Sequence, residues 1–372
     1  MKPGHRVVVK ELAETPTDAL AEGATNLALE PMDPPDPETL SPRDMIIEVR
    51  SASVGWVDLL MTSGQYQHLA KPPYTPGLEY AGTVAWAGSA ATDVTIGASV
   101  LVDGFLAGPR SLGAYQQYGG YASYAVAPAE AVHPIPGDLN FDQACNLLGN
   151  YETAWHCLVH RGALKAGETV LIHGASGSTG LAAVHVAKLL GATVIATGRN
   201  ASKLAAVKAQ GADYIVSTQR TDGESGMRAF RDDVKQITNG KRVDVVYDGV
   251  GGDISIESLH CMRFGARYLI VGWAATPFVS RGKGERGAPN ANMLPTNLIM
   301  MKGLSVLGCP MVISTVNDPA IREPRLRQIL EWAERGQIRP HVSHVFPLSQ
   351  FREAMRKKWS GEVIGGCVVR PD

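Results

Sequence analysis

Residues 169–188 read TVLIHGASGSTGLAAVHVAK, and this stretch decides the fold. An apolar β-like run leads into glycines at Gly174, Gly177 and Gly180, and an apolar helix follows. Glycines let a backbone turn sharply and approach a pyrophosphate, whose charge is stabilised at a helix N-terminus. The alternative is a tight strand–helix turn without a ligand. The stretch predicts a dinucleotide site formed by Gly174, Ser176, Gly177, Ser178, Thr179 and Gly180.

Strands and helices alternate on both sides of this turn. The residue pattern predicts a helix over 141–160, strands at 193–197, 214–217, 243–248, 266–272 and 304–308, and helices at 202–210, 226–238 and 254–263. Strands separated by helices of this length indicate βαβ units and a doubly wound parallel sheet. We therefore expect an α/β fold with a Rossmann domain over residues 146–311.

The remaining residues predict a second, β-rich domain. Short β-like runs at 45–51, 82–87, 99–102 and 121–126 are separated by turn residues such as Pro72-Pro73 and Pro76-Gly77. A last helix is predicted near 324–335 and a closing strand at 366–370. We expect this C-terminal part to return to the first domain, so that residues 1–145 and 312–372 form one discontinuous domain.

The end of the second Rossmann strand predicts which nicotinamide is bound. An NAD site places an acidic side chain there, on the ribose 2′-hydroxyl. In this chain the strand runs into Gly198-Arg199-Asn200, and Lys203 follows one helical turn later. Arg199 is suited to pair with the 2′-phosphate that NADPH carries. We expect NADPH; the alternative is that Arg199 and Lys203 are solvated charges at a helix start.

Composition excludes several other classes of protein. The formal net charge of −1 gives no reason to expect nucleic acid or an anionic membrane as a partner. The cysteines are scattered without a C-x-x-C pair, which predicts a reducing compartment and no cysteine-rich zinc site. No run approaches the length of a membrane helix and no signal peptide is evident. We expect a cytoplasmic protein.

Several short motifs together resemble a known family. They are Asp58 with Gly64-Gln65-Tyr66, the run 76–84 (PGLEYAGTV), Gly119-Gly120-Tyr121-Ala122, Thr153-Ala154, the glycine turn, Gly211-Ala212-Asp213 and 248–252 (DGVGG). In this order the chain resembles the zinc-independent medium-chain dehydrogenases/reductases, in the quinone oxidoreductase and enoyl reductase group. The resemblance covers nearly the whole chain. It implies that the β-rich domain is GroES-like, that NADPH binds between the two domains, and that the chain forms a homodimer.

The metal positions of zinc-dependent relatives are not filled by ligands. Those relatives carry His where this chain has Leu78 and Cys where it has Gly55. Neither residue offers the nitrogen, sulfur or oxygen donor that zinc requires. Without a Lewis acid, hydride must reach an acceptor that is already electrophilic. We therefore expect no metal, and a small-molecule acceptor such as an enone, an enoyl thioester or a quinone.

Three sets of residues are candidates for the reaction site. Tyr66 corresponds to a tyrosine that is a proposed proton donor in enoyl reductases of the family, although it also fits an aromatic packing role. Thr153 resembles the family's threonine near the nicotinamide; the alternative is that it is an ordinary helix residue. Val250 and Gly272 follow successive strands at the edge where ligands bind. Members of the zinc-independent family often have Asn at the position of Gly55 and Lys or Arg at that of Gly366.

Two long loops are candidate specificity determinants, at 103–120 and at 273–297. The second carries Arg281, Lys283 and Arg286, which suit an anionic substrate tail or, alternatively, a solvated loop. Three functions therefore remain open. They are an enone or enoyl reductase, an NADPH:quinone reductase proper, and a non-catalytic NADPH-binding redox sensor or structural protein.

Overall fold

The structure is a computed structural model. It describes residues 1–111, 113–220, 226–276, 279, 285, 287–288 and 290–372. The basic residues of the second long loop, Arg281, Lys283 and Arg286, lie outside the described residues.

The described chain alternates short strands and helices. In chain order the strands are β1 (Gly4–Val9), β2 (Leu27–Met32), β3 (Asp44–Ser53), β4 (Tyr80–Ala87), β5 (Ser99–Val102), β6 (Tyr124–Pro128), β7 (Val132–Pro134), β8 (Thr169–Ile172), β9 (Thr193–Gly198), β10 (Tyr214–Ser217), β11 (Val243–Asp248), β12 (Met262–Ile270), β13 (Ser305–Gly308), β14 (Val342–Pro347) and β15 (Gly366–Arg370). The α-helices are α1 (Pro16–Ala19), α2 (Trp56–Met61), α3 (Phe141–Ala144), α4 (Leu148–Trp155), α5 (Ser178–Leu189), α6 (Ala201–Ala209), α7 (Arg231–Ile237), α8 (Asp253–Cys261), α9 (Thr296–Met301), α10 (Met311–Asn317), α11 (Arg322–Glu334) and α12 (Phe351–Trp359).

Six parallel strands form a doubly wound sheet in the order β10-β9-β8-β11-β12-β13. The central strand β8 is fully buried over Val170, Leu171 and Ile172, which explains its continuous apolar run. The chain moves outward from β8 to β9 and β10, then returns to the other side with β11. The strand order therefore reverses between β8 and β11, and ligands of such sheets bind at the carboxyl ends of the strands there. The predicted doubly wound fold is confirmed.

A second sheet of seven strands is largely antiparallel. Its order is β14-β15-β3-β4-β5-β7, and β6 pairs with β3. The C-terminal strand β15 runs antiparallel to β3, next to the parallel strand β14. Residues from these strands, together with Leu59 of α2 and Met355 of α12, form one apolar core. Strands β1 and β2 make a separate two-stranded sheet.

The chain folds into two compact units. The first contains Met1–Gly149 and Ala333–Asp372, and the second contains Asn150–Val279 and Ala288–Trp332. The chain passes from the first unit to the second at 149/150 and returns at 332/333. The limits expected from sequence lie at 145/146 and 311/312. Those domain limits remain a prediction.

Three sequence-based predictions about elements were wrong in detail. The helix expected over 141–160 is broken, because the side-chain amide of Asn146 donates to the Asp142 carbonyl at 2.8 Å and competes with the helical backbone for it. Its last part, His156–Arg161, is a π-helix. The helix expected from residue 226 begins at Arg231, because Glu257 accepts from the Phe230 and Arg231 amides and caps it there. The helix near 324–335 is not the last, since α12 follows.

None of the helices in the described residues combines the length and apolar character that crossing a membrane requires.

Candidate functional site

The glycine turn between β8 and α5 requires glycine at two of its three glycine positions, Gly174 and Gly180. Gly174 has a positive φ of 63°, and the Gly177 amide donates to its carbonyl at 2.9 Å. A Cβ on Gly180 would lie 2.2 Å from that carbonyl oxygen and 2.9 Å from Ala175 Cα. Each glycine therefore has its own role. Gly174 turns the chain, Gly177 leaves the turn open, and Gly180 lets α5 pack against it.

The N-terminus of α5 is suited to an anion. The 12-residue helix begins after Gly177, which has no side chain to cap it, and its first turn contains no acidic residue. Gly174 and Gly177 are exposed, while Ser176, Ser178 and Thr179 are half-buried. Backbone amides at a helix start and the helix dipole both favour a phosphate at this place.

Helix α4 is tied to the same turn. Thr179 Oγ1 donates to Asn150 Oδ1 at 3.2 Å. On the same helix, buried Glu152 accepts from Arg325 at 2.8 Å and from Arg322 at 3.0 Å, which anchors α4 to α11. Thr153 is half-buried on this anchored helix. The structure therefore places Thr153 three residues from a direct contact to the glycine turn.

The turn after β11 lies against the glycine turn and is organised by Asp248. One oxygen of this buried carboxylate accepts from the amides of Val250 and Gly251 at 2.8 and 2.9 Å. The other oxygen accepts from Ser255 Oγ at 2.6 Å and from the Tyr268 hydroxyl. A Cβ on Gly174 would be 3.2 Å from Val250 Cγ2. Gly174 and Val250 are thus neighbours at the point where the strand order reverses.

Gly272 lies shortly after β12, at the same carboxyl edge of the parallel sheet. Its amide donates to the Asp248 carbonyl at 3.2 Å, and a Cβ on it would be 3.3 Å from the Gly249 carbonyl oxygen. Asp248 was predicted only as part of a family motif, and its role in holding the turn was not predicted. An Asp directly before Gly-Val-Gly-Gly was the available signal, because Asp side chains commonly accept from backbone amides two or three residues later.

A buried histidine lies at the end of β8, directly before Gly174. His173 Nε2 is 2.6 Å from Ser258 Oγ and Nδ1 is 2.7 Å from Thr197 Oγ1. Ser258 already donates its proton to the Ile254 carbonyl, so Nε2 carries the hydrogen and Nδ1 accepts from Thr197. Burial lowers the pKa of His173 to about 4. The ring is a neutral support beneath the turn.

The end of β9 carries the two cations predicted to select NADPH. Arg199 is exposed and Lys203 is half-buried in the first turn of α6. Asn200 caps α6, because its side chain accepts from the Lys203 amide at 3.0 Å. Strand β9 is the neighbour of β8, so Arg199 follows the strand next to the glycine turn.

Tyr66 belongs to the first unit, in the segment after α2. It is half-buried, and its ring centroid is 5.7 Å from that of His68. Burial raises the pKa of the Tyr66 hydroxyl, while the nearby Arg110 guanidinium acts in the opposite direction. Arg110 lies in the loop 103–120 expected to determine specificity, but no motif singled it out, and it is far from Tyr66 along the chain.

Asp58 holds the segment around Gly55 and Leu78. One of its carboxylate oxygens accepts from the amides of Gly77 and Leu78, and the other from the amide of Gly55, each at 3.0 Å. Burial raises the pKa of Asp58 to about 6, and these hydrogen bonds act against that shift. A Cβ on Gly55 would lie 2.8 Å from Asp58 Oδ2, so the close contact favours glycine there.

Gly366 leaves no room for the basic side chain found in relatives. It lies in β15, and a Cβ on it would be 2.8 Å from the side-chain Cγ of Asn146. The described residues also contain no group of three or more His, Cys, Asp or Glu side chains arranged to hold a metal.

Two protein-family models match this chain, and the two ranges that they match contain strands of the two large sheets described above. A family model described as "Alcohol dehydrogenase GroES-like domain" matches residues 41–137, and one described as "Zinc-binding dehydrogenase" matches residues 178–323. The first match confirms the GroES-like domain. The probable oxidoreductase from Mycobacterium abscessus is 26% identical and covers 99% of this chain and 100% of its own, with a TM-score of 0.77.

Several similar proteins carry quinone oxidoreductase in their names. Quinone oxidoreductase-like protein 2 homolog of Nematostella vectensis is 30% identical over 333 residues, which are 88% of this chain and 82% of the relative. Escherichia coli quinone oxidoreductase, solved in complex with NADPH, is 22% identical and covers 99% of this chain and 100% of its own, with a TM-score of 0.74. The chain belongs to the quinone oxidoreductase group of the medium-chain dehydrogenase/reductase family.

Proposed function

We propose that this chain is an NADPH-dependent reductase that transfers hydride, without a metal, to an activated C=C bond or to a quinone. The observation that carries the proposal is the uncapped N-terminus of α5 at the exposed glycine turn. It offers backbone amides and a helix dipole to a pyrophosphate. The E. coli relative with the same fold was solved with NADPH, which supports the same nucleotide here.

The residues present fit this cofactor. Gly174, Ser176, Gly177, Ser178, Thr179 and Gly180 would hold the pyrophosphate. Arg199 and Lys203 would pair with the 2′-phosphate, since an exposed guanidinium at the end of β9 has the charge and geometry for it. Thr153, Val250 and Gly272 would line the nicotinamide end. When bound, the reduced nicotinamide supplies the hydride.

The acceptor must be electrophilic on its own, because positions 55 and 78 offer no metal donor. Conjugated carbonyls and quinones meet this requirement, since their oxygen takes the charge when hydride adds to carbon. The Tyr66 hydroxyl would donate a hydrogen bond to that oxygen and then a proton. Burial keeps the pKa of Tyr66 raised, so the hydroxyl stays protonated at neutral pH and is able to donate.

A panel of acceptors tests the proposal. NADPH absorbance is followed with crotonyl-CoA, methyl vinyl ketone and 1,4-benzoquinone, using purified wild-type protein. Turnover of the first two without the third would identify an enone or enoyl reductase, and the reverse would identify the quinone reductase that the relatives' names favour. Tight NADPH binding without oxidation by any acceptor would refute the reductase and favour a sensor or structural role.

We also propose a homodimer. Strand β13 is an edge of the parallel sheet, and the nearby helices α9 and α10 expose Met300, Met301 and Val316, each more than 60% accessible. Unpaired edges and grouped apolar residues are typical of protein interfaces. Light scattering after size exclusion should give twice the mass of 39.6 kDa, and Val316→Glu should shift it toward the monomer. Location in the cytoplasm remains a prediction.

A further inference from the structure

Arg110 is held in a defined position beside Tyr66. Its Nε donates to the Gly104 carbonyl at 3.3 Å, and its Cζ lies 5.1 Å from the centroid of the Phe105 ring. A Cβ on Gly104 would be 3.2 Å from Arg110 Nη2, so the absence of a side chain there lets the guanidinium lie close. The cation is thus fixed by its own loop.

Among the residues that the structure describes, the groups that interact electrostatically with this cation include one carboxylate, Asp58. Arg110 acts electrostatically on Tyr66, His68 and Asp58. Burial and Arg110 itself both lower the pKa of His68, so the imidazole is neutral. Asp58 directs its oxygens to the amides of Gly55, Gly77 and Leu78. Among the described residues, no carboxylate forms an ion pair with Arg110.

A half-buried guanidinium that forms no ion pair with a carboxylate is costly unless something else pairs with it. A side-chain hydrogen bond from Arg110 acts on the Tyr66 oxygen, and the other N–H groups of the guanidinium and the Tyr66 O–H are donors. Donors that converge on one place without an acceptor are the arrangement that a developing oxyanion requires.

We propose that Arg110 and Tyr66 together bind the acceptor oxygen, with the guanidinium stabilising the negative charge that this oxygen gains. This inference rests on the reductase function proposed above and narrows the acceptor to one with a carbonyl or quinone oxygen. Hydride brings two electrons to the acceptor carbon and forms a C–H bond, while the π pair moves to the oxygen. Bound NADPH would supply this hydride and leave as NADP⁺, and the acceptor oxygen would take a proton from Tyr66, which solvent replaces, to complete the two-electron reduction.

Binding of 4-nitrophenol tests the oxyanion site without any turnover. The visible band of its phenolate form reports how strongly the protein prefers the anion, measured with the protein alone and with NADP⁺ added. Wild type should prefer the anion, and Arg110→Gln should weaken anion binding about tenfold to a hundredfold, as expected for loss of a hydrogen bond to a charged group. Arg110→Lys should retain part of the anion binding, because lysine keeps the positive charge but lacks the planar set of N–H donors and the contact with the Phe105 ring.

Arg43→Gln is the matched control, since Arg43 is an exposed arginine of the same unit that pairs with Glu130 at 3.3 Å. It should bind the anion as wild type does. In steady-state assays Arg110→Gln should lower kcat/KM for carbonyl acceptors by a similar factor, with the NADPH Kd unchanged. Equal anion binding by wild type and Arg110→Gln, or none by wild type, would overturn the inference. A wild type that binds the anion but oxidises no NADPH would instead refute the reductase function.

Discussion

Replacing Gly180 with alanine tests whether the glycine turn is built as described. The added Cβ would lie 2.2 Å from the Gly174 carbonyl oxygen, whereas Cβ atoms essentially never approach other heavy atoms within 3.0 Å. The neighbouring Ala175 Cα, at 2.9 Å, blocks the simplest adjustment. The start of α5 must therefore move away from the turn by about 1 Å.

The cost follows from this displacement. Overpacking of this kind costs about 1–3 kcal/mol, and each kcal/mol lowers Tm by about 2–4 °C in a domain of this size. We expect Gly180→Ala to lower Tm by about 2–12 °C. The amides at the helix start move with α5, and losing one hydrogen bond to a charged phosphate costs about 1.5–3 kcal/mol. The NADPH Kd should therefore rise about tenfold to a hundredfold.

Gly177→Ala is the matched control for this change. Gly177 has φ −73° and ψ 164°, which alanine adopts freely, and a Cβ there meets only the Gly174 oxygen at 3.4 Å. Its Tm should stay within about 2 °C of wild type. Because this exposed position faces the place proposed for the pyrophosphate, NADPH affinity should still fall.

Thermal unfolding and NADPH fluorescence titration on the three proteins give the result. The expected pattern is that Gly180→Ala loses both stability and affinity, whereas Gly177→Ala loses affinity alone. A Gly180→Ala protein with wild-type Tm and Kd would show that the turn does not have this geometry. If neither variant changed the NADPH Kd, the phosphates would have to bind elsewhere.

Three further predictions concern other residues. Arg199→Glu should weaken NADPH about tenfold or more and improve NADH, measured as the ratio of kcat/KM for the two nucleotides; an unchanged ratio contradicts the 2′-phosphate contact. Tyr66→Phe should reduce kcat for a carbonyl acceptor about a hundredfold to ten-thousandfold with the NADPH Kd unchanged, and full activity would remove its donor role. His173 has a folded-state pKa of about 4 against an ordinary 6.5, so the unfolded chain binds more protons between these values. The free energy of unfolding should fall by up to about 3 kcal/mol as pH drops through this range, and His173→Gln should flatten that dependence in chemical denaturation.

The Rossmann half was the more predictable part of the chain. Strands β10 and β11 have the bounds expected from sequence, because apolar runs there end sharply at residues that favour turns. The glycine spacing likewise indicated the turn between β8 and α5. The strand bounds and the glycine turn are determined by residues close together in the sequence, so a local residue pattern is sufficient to predict them.

Features that depend on distant residues were not predictable. The break after α3 requires the Asn146 side chain to take a backbone carbonyl, and the start of α7 requires Glu257, which is 26 residues away from Arg231. Strand β2 was missed because it contains Pro31 and pairs only with β1. Arg110 lies in a glycine-rich loop with no periodic pattern, so only the folded loop shows that its guanidinium lies beside Tyr66.

The two turns that matter most for the proposed chemistry are both held by a buried aspartate. Asp248 accepts from the amides of Val250 and Gly251 in one unit, and Asp58 accepts from Gly55, Gly77 and Leu78 in the other. In the second case the amides of Gly55 and Leu78 belong to the positions where zinc-dependent relatives carry ligands. These two residues thus contribute backbone hydrogens to a fixed loop, and their side chains offer no donor atom to activate a hydroxyl group. On the function proposed above, such a loop would favour reduction of an acceptor that is already electrophilic. Tyr66 and Arg110 are the residues that we propose to meet the charge on the acceptor oxygen.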